Sequence, residues 1–399
     1  MSLRFTTAGE SHGQALVSIL EGVPAGLPLL ASHIDGQLAR RQQGYGRGRR
    51  MQIEQDAVDL VSGVRAGETI GSPIAMLIRN RDWKNWQEIM DPEPRPEDPT
   101  RKRAVTRVRP GHADLTGLLK YDRDDARDIL ERASARETTA RVAAGAICRQ
   151  LLVQFGVCIG SHVTRLGDID AARPEPFPDD INTAADASPL RTLDQDAEAR
   201  MIARIDTIKR EGNTLGGIAE IVATGLCVGL GSHTSWDRRL DGRIGQVMMS
   251  IPAVKGVEIG MGFAAAAKTG AEVHDEMDPE PDRAIAGGVR RRTNRAGGLE
   301  GGMTTGEPLV VRLAMKPIST LMKPLATVDM ATGEPAQATA ERSDVTAVPA
   351  MGVIAEAMLA YVLAQALLEK FGGDSLREVR HNYDGYLSHI KNARLDRSR

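Results

Sequence analysis

The chain has 399 residues, enough for two or three average domains or one large one. Its 51 Lys and Arg against 53 Asp and Glu leave a net charge of −2, which argues against a dedicated nucleic-acid binder or a polybasic membrane-surface protein. The 41% hydrophobic and 26% charged residues fit a globular chain rather than a disordered one. Glycine is abundant at 41 residues, which implies tight turns and places where backbone approaches a ligand, whereas 3% aromatics offers little for base stacking. Cys148, Cys158 and Cys227 form no C-x-x-C pair, so neither a disulfide framework nor a metal site is expected, and a reducing compartment fits best. The N-terminal stretch lacks the apolar core of a signal peptide, so a cytoplasmic protein is expected.

In chain order, short strands are predicted at residues 3–7 and 15–21, flanking the polar turn Gly9-Glu10-Ser11-His12-Gly13. Ser32 is placed to cap a helix running to about residue 43, with Gly44 as its terminator. Apolar stretches at 57–62 and 74–78 read as strands, and the proline-rich, charged stretch 91–103 as an exposed loop. The most regular helix spans about 135–155, with Ser134 and Glu137 spaced as a capping box, and leads past Gly156 into a strand at 157–166. Residues 171–189 read as a surface insertion, 197–210 as an amphipathic helix, and 218–226 and 309–315 as strands. The apolar stretch 351–368 approaches membrane-span length, but Glu356 and Gln365 favour a helix buried in a core, extending over about 353–371. Residues 385–399 are expected to fray. No repeat is present, and strands and helices do not alternate one for one. A mixed α/β or α+β fold in one large domain, 1–399, follows.

Five segments concentrate glycine, charge or histidine. The GESHG turn presents His12, whose side chain can donate a proton to a leaving group near neutral pH. The segment 40–50 carries five arginines (Arg40, Arg41, Arg47, Arg49 and Arg50) among glycines, which suits an anion clamp. Residues 107–114 place His112 between Arg109 and Asp114, which pull imidazole protonation in opposite directions. Arg132 and Arg136 flank Ser134 at a helix start, itself an anion site. Residues 294–306 are dense in glycine, and downstream lie Lys316, Ser319, Thr320, Arg342 and Asp344. Walker A, a dinucleotide-binding glycine fingerprint, H-E-x-x-H and G-x-S-x-G are all absent. The residues alone point to an enzyme with an Arg- and His-rich site for a multiply anionic small molecule, and to glycine-rich backbone holding a second, phosphate-bearing ligand.

Together the motifs GESHG, RRQQGYGRGRR, RPGHAD, RASARET with RVAAGAI, AVKGVEIG, NRAGGLEGGMTTGEP, MKPIST, RSDVTAVPA and GGDS resemble, in order and over nearly the whole chain, those of chorismate synthases, in particular the longer-loop subgroup of actinobacteria and related lineages. The resemblance implies a β-α-β sandwich with apolar helices packed between antiparallel sheets. It implies elimination of phosphate from 5-enolpyruvylshikimate 3-phosphate to give chorismate, with reduced FMN required, and a homotetramer built as a dimer of dimers.

Residue by residue, the resemblance implies that His12 protonates the departing phosphate, that His112 stabilises the reduced, anionic flavin, and that Asp344 assists proton transfer at the flavin. Flavin contacts are implied for Arg132, Ala133, Ser134, Pro252, Ala253, Gly301, Lys316, Pro317, Ile318, Ser319, Thr320 and Arg342. Arg41 and Arg47 match positions associated with NADPH, a candidate reductant, and equally suit a substrate anion. Arg50, Arg109 and Arg136 are assigned to substrate. Pro252 stands where many members have Asn, so only backbone or van der Waals contact is expected there, and Arg295, where others often have His, is given no role. No reductase domain is visible, so an external flavin reductase is the expected partner. The rival readings, an NADPH-dependent flavin reductase and an RG-type RNA binder, share only the flavin and arginine features or the 40–50 segment.

Overall fold

The computed structural model describes residues 2–48, 55–93, 103–339 and 344–396. Arg50, Arg342 and most of the proline-rich stretch 91–103 lie outside the described residues. The first sheet is antiparallel and comprises β1 (Arg4–Ala8), β2 (Ala15–Glu21), β3 (Val58–Leu60) and β4 (Ile74–Arg79), in the order β1-β2-β4-β3. Alternation decides its faces: Leu16 and Leu20 of β2 and Ile74, Met76 and Ile78 of β4 are buried on one side. The second sheet comprises β5 (Cys158–Leu166), β6 (Ile169–Asp170), β7 (Gly217–Thr224), β8 (Val254–Ile259) and β9 (Leu309–Met315), in the antiparallel order β8-β9-β7-β5-β6.

The principal helices are α1 (Ala31–Gln42), α2 (Asp114–Tyr121), α3 (Arg127–Ala133), α4 (Thr138–Val153), α5 (Ile181–Asp186), α6 (Gln195–Arg210), α7 (Leu240–Met249), α8 (Val348–Phe371) and α9 (Leu376–Asp396). Helices α4 and α8 lie between the sheets: α4 packs on β2 and on α8, and α8 packs on β5 and β7. The result is the α+β sandwich expected from the sequence. Helix α8 is long and apolar enough to cross a membrane, but 89% of its apolar window is buried inside the sandwich. Small residues let the two central helices approach. A Cβ at Gly145 of α4 would lie 2.5 Å from both the Cβ and the carbonyl oxygen of Ala357, so only glycine fits there.

A buried carboxylate on α8 brings charge into this core. Glu356 of α8, 1% exposed, accepts hydrogen bonds from Arg40, Arg149, Arg191, Ser161 and Asn182 at 2.6 to 3.1 Å. Burial works against its ionisation, but the charges of Arg40, Arg191 and Arg149 outweigh it and hold the carboxyl at about 2.

Four local expectations are corrected. Helix α1 starts at Ala31 rather than after Ser32, and the His33 ring accepts from the Leu30 N–H in place of a serine cap. Ser134 caps a 3-10 turn, accepting from Arg136 N, while Glu137 turns to Thr7 and Arg141 instead of closing a capping box. The stretch 171–189 is not all surface: it contains α5, whose Ile181, Asn182 and Ala185 are buried, and Asn182 is one of the donors to Glu356. The C-terminal stretch from 385 remains helical to Asp396, since α9 packs Tyr383, Tyr386 and Leu387 on the core.

Candidate active site

His12 sits on the turn between β1 and β2, where a short loop alone could not fix a ring. The carboxylate of Glu131, on α3, supplies the anchor. Its two oxygens lie 2.9 and 2.8 Å from His12 Nδ1, and one also accepts the His12 backbone N–H at 2.9 Å. Arg127 Nη1 donates to the same carboxylate at 2.8 Å. Burial pushes the Glu131 carboxyl up, yet hydrogen bonds from His12 and the charge of Arg127 prevail and hold it below its ordinary range. The ring of Trp86 stacks on His12 with centroids 3.7 Å apart. Below the turn, Ser11 is buried, and Ser134 donates to its hydroxyl at 3.2 Å.

His112 is built on the same plan. Its Nδ1 lies 2.5 Å from Asp114 Oδ1, and Asp114, fully buried, also accepts from Arg109 through Nε and the backbone N–H at 2.8 and 3.1 Å. Burial would raise the Asp114 carboxyl, but hydrogen bonds from His112 and Arg109 overcome it and hold it far below the usual carboxylate range. Each histidine therefore shows a buried, arginine-braced carboxylate to Nδ1, the arrangement that fixes a tautomer and assigns proton transfer to Nε2. Arg109, expected to touch substrate, takes part in this bracing, with Nη1 donating to Thr320 at 3.1 Å.

The turn at 109–112 meets the segment 316–320. Gly111, at φ +77, lies against Ser319, and its carbonyl accepts from Lys316 Nζ. Lys316 makes no ion pair among the described residues, and its backbone N–H donates to the Ala253 carbonyl at 2.9 Å. Ala253 itself holds φ +67, a left-handed conformation that is costly for alanine and turns its backbone toward this segment. Thr214 donates to the Ile318 carbonyl at 2.7 Å, and Leu215 N to the Val345 carbonyl at 2.8 Å, so Asp344 joins the same cluster. Asp344 pairs with Arg47 at 3.2 Å.

Other assigned residues are turned inward or set apart. Arg41 donates to Thr138 Oγ1 and the Ala135 carbonyl, and Arg136 pairs at 2.7 Å with the buried Asp56, which also faces Arg41 at 3.8 Å. Arg132 donates to Thr7 and to the Gly9 carbonyl, bracing the His12 turn from behind, and Ala133 ends α3 beside it. Gly301 lies toward the other end of α7 from Pro252 and Ala253. Its neighbour Gly302 bonds Leu240 at the start of α7, whereas Pro252 and Ala253 follow the end of that ten-residue helix, about 15 Å away along its axis.

A family profile described as chorismate synthase matches residues 3–368. The chorismate synthase of Geobacter metallireducens is 55% identical over 392 residues, covering 98% of this chain and 99% of its own. That of Mycobacterium avium is 57% identical over 390 residues, covering 96% of each. The chain belongs to the chorismate synthase family. A solved structure titled "Crystal Structure of Chorismate Synthase" superposes with a TM-score of 0.79 at 43% identity, over 98% of this chain and 99% of that one. The activity is that of the family, a lyase of the shikimate pathway serving aromatic amino-acid biosynthesis. Against the family motifs, the residues that sequence reasoning missed are Glu131, Arg127, Trp86 and Asp56. Glu131 stands one residue before RASARET and 119 from His12, a separation that carries no local signal.

Proposed function

We propose that the chain eliminates phosphate from 5-enolpyruvylshikimate 3-phosphate in a 1,4-anti sense, with His12 as the acid, His112 beside the flavin and Asp344 as a proton relay. The observation that carries this reading is the pair of histidines, each bonded through Nδ1 to a buried, arginine-braced carboxylate. As the C–O bond breaks, His12 delivers a proton from Nε2 to the departing phosphate, whose charge would otherwise build up in the transition state. Asp344 takes part in carrying away the proton lost from C6, and the bond pair released there becomes the new double bond.

The donor set fits an anionic flavin. An ammonium with no carboxylate partner among the described residues, Lys316, stands beside the hydroxyls of Ser319 and Thr320 and the backbone of Pro317, Ile318, Pro252 and Ala253. Ser134 and Arg132 would complete the hold from the His12 side. When bound, reduced FMN supplies electron density to an elimination that leaves no net redox change. Because Arg41 and Arg47 are committed to internal partners, we assign NADPH to an external reductase rather than to this site. A homotetramer would let Gly301 of one copy serve the cluster of another. The distance of Gly301 from Ala253 and the 84% and 82% exposure of Trp236 and Phe263 support that arrangement. The same reading treats 1–399 as one domain, supported by a core that draws residues from Leu3 to Tyr383, and places the chain in the cytoplasm.

The test is turnover of His12→Ala and His112→Ala with chemically reduced FMN. Each should slow roughly 10- to 10³-fold, the scale of a lost acid or electrostatic donor. Full activity in both would remove these residues from the mechanism.

A further inference from the structure

We infer that Glu131 is a positioning residue that makes His12 a proton donor through Nε2, and that Trp86 fixes the plane of the ring. The inference rests on the reading of His12 as the acid. One carboxylate registers both the backbone and the side chain of His12, through three contacts of 2.8 to 2.9 Å. It is itself held from a third direction by Arg127 at 2.8 Å and is 1% exposed, so it has little freedom to reorient. Trp86 lies 27° from parallel to the imidazole and is anchored by its own indole N–H, which donates to Asp82 at 2.9 Å. The ring can neither rotate about its long axis nor tip without losing a charge-assisted bond or a stacked face.

The chemistry follows from the bonding. With Nδ1–H given to Glu131, the neutral ring carries its lone pair on Nε2, and the protonated ring offers an N–H there. When that proton passes to the phosphate oxygen, the electron pair of the breaking C–O bond leaves with the phosphate, and the ring relaxes to the tautomer in which Glu131 already holds it. Among the described residues, Glu131 bonds the ring and is held by Arg127 on α3, Arg103 and Asp82 contact the stacked Trp86, and Glu10 lies in the same turn. Glu131 touches the imidazole with full charge at hydrogen-bond distance, where interaction energy is greatest because it falls with separation.

Trp86 provides a readout that needs neither substrate nor flavin, because a protonated imidazole stacked on an indole quenches its emission. In the full chain carrying Trp83→Phe and Trp236→Phe, Trp86 emission should fall as the pH drops through the titration of His12. His12→Ala should abolish that step, and Glu131→Gln, which keeps the shape and loses the charge, should move its midpoint to lower pH. In turnover, Glu131→Gln should lower kcat about 10- to 100-fold, the scale seen when the partner orienting a functional histidine is removed. The alkaline limb of its profile should move to lower pH while KM changes less than about twofold. Trp86→Phe should retain most of kcat and Trp86→Ala should not. An emission step that depends on His12 but is unmoved in Glu131→Gln, with an unmoved pH profile, overturns the inference. Should His12→Ala turn over at the full rate, the reading of His12 fails instead, and the emission midpoint still decides what Glu131 does.

Discussion

Asp344 accepts a hydrogen bond from the backbone N–H of Gly48 at 2.6 Å and faces the Arg47 guanidinium at 3.2 Å. Two segments almost 300 residues apart thus meet through one carboxylate. Val345 N also donates to the Gly46 carbonyl at 2.8 Å, so the arginine–glycine segment is laid directly on the segment that carries Asp344 into α8. Arg47, assigned to an external anion, pairs here with a candidate proton relay. Asp344→Asn is expected to cut kcat about 10- to 10³-fold. Arg47→Ala should lower kcat at least about tenfold through the displaced carboxylate. Neither substitution should alter NADPH binding, and isothermal titration with NADPH alongside the turnover assay separates the two roles.

Much of the architecture was legible because its signals are local. The alternation in β2 and β4 states which face is buried, and the apolar length of α8, interrupted by Glu356 and Gln365, marks it as a core helix. The candidate site was visible only in its parts, as glycine-bounded His12 and His112 that, taken singly, read equally as surface turns. What could not be read is pairing at a distance. Glu131 with His12, Arg47 with Asp344, and Arg136 with Asp56 depend on how helices and loops stack, and no spacing encodes them. Composition likewise counts the 40–50 cations without showing that Arg40 and Arg41 bond Glu356 and Thr138 inside the protein.

Glu356 should make the fold sensitive to acid. Its carboxyl is held at about 2 when folded against 4.5 as the ordinary value, so the folded state binds its proton less readily than the unfolded state. The stabilisation is therefore complete above about pH 4.5 and drains away as the pH falls toward about 2. Glu356→Gln should cost about 3–5 kcal/mol at neutral pH, because three arginines lose their buried counter-ion. Urea unfolding across that pH range should be flatter for the variant than for the parent chain.

Arg41 should prove structural. Its hydrogen bonds to Thr138 Oγ1 and the Ala135 carbonyl tie α1 to the start of α4. Arg41→Ala is expected to destabilise the chain by about 2 kcal/mol, the scale of a lost charged hydrogen bond, with KM for the phosphorylated substrate nearly unchanged. A large rise in KM at unchanged stability would place its guanidinium on the substrate instead.

Phe263, 82% exposed on a 3-10 turn of glycine and alanine, should lie in a subunit interface. Phe263→Asp is expected to shift the mass measured by light scattering from that of the proposed tetramer toward dimer or monomer. It should also weaken flavin binding, if Gly301 serves a neighbouring copy.

The central claim is that this arginine-rich, two-histidine cluster eliminates phosphate with reduced flavin as an essential partner. It is tested most directly by mixing the chain anaerobically with 5-enolpyruvylshikimate 3-phosphate and chemically reduced FMN, following chorismate absorbance and released phosphate together. The account predicts the two products in equal amounts with reduced FMN, none with oxidised FMN plus NADPH, and a slowed rate in His12→Ala. Equal rates with oxidised flavin, or no product although reduced FMN is demonstrably bound, would contradict it.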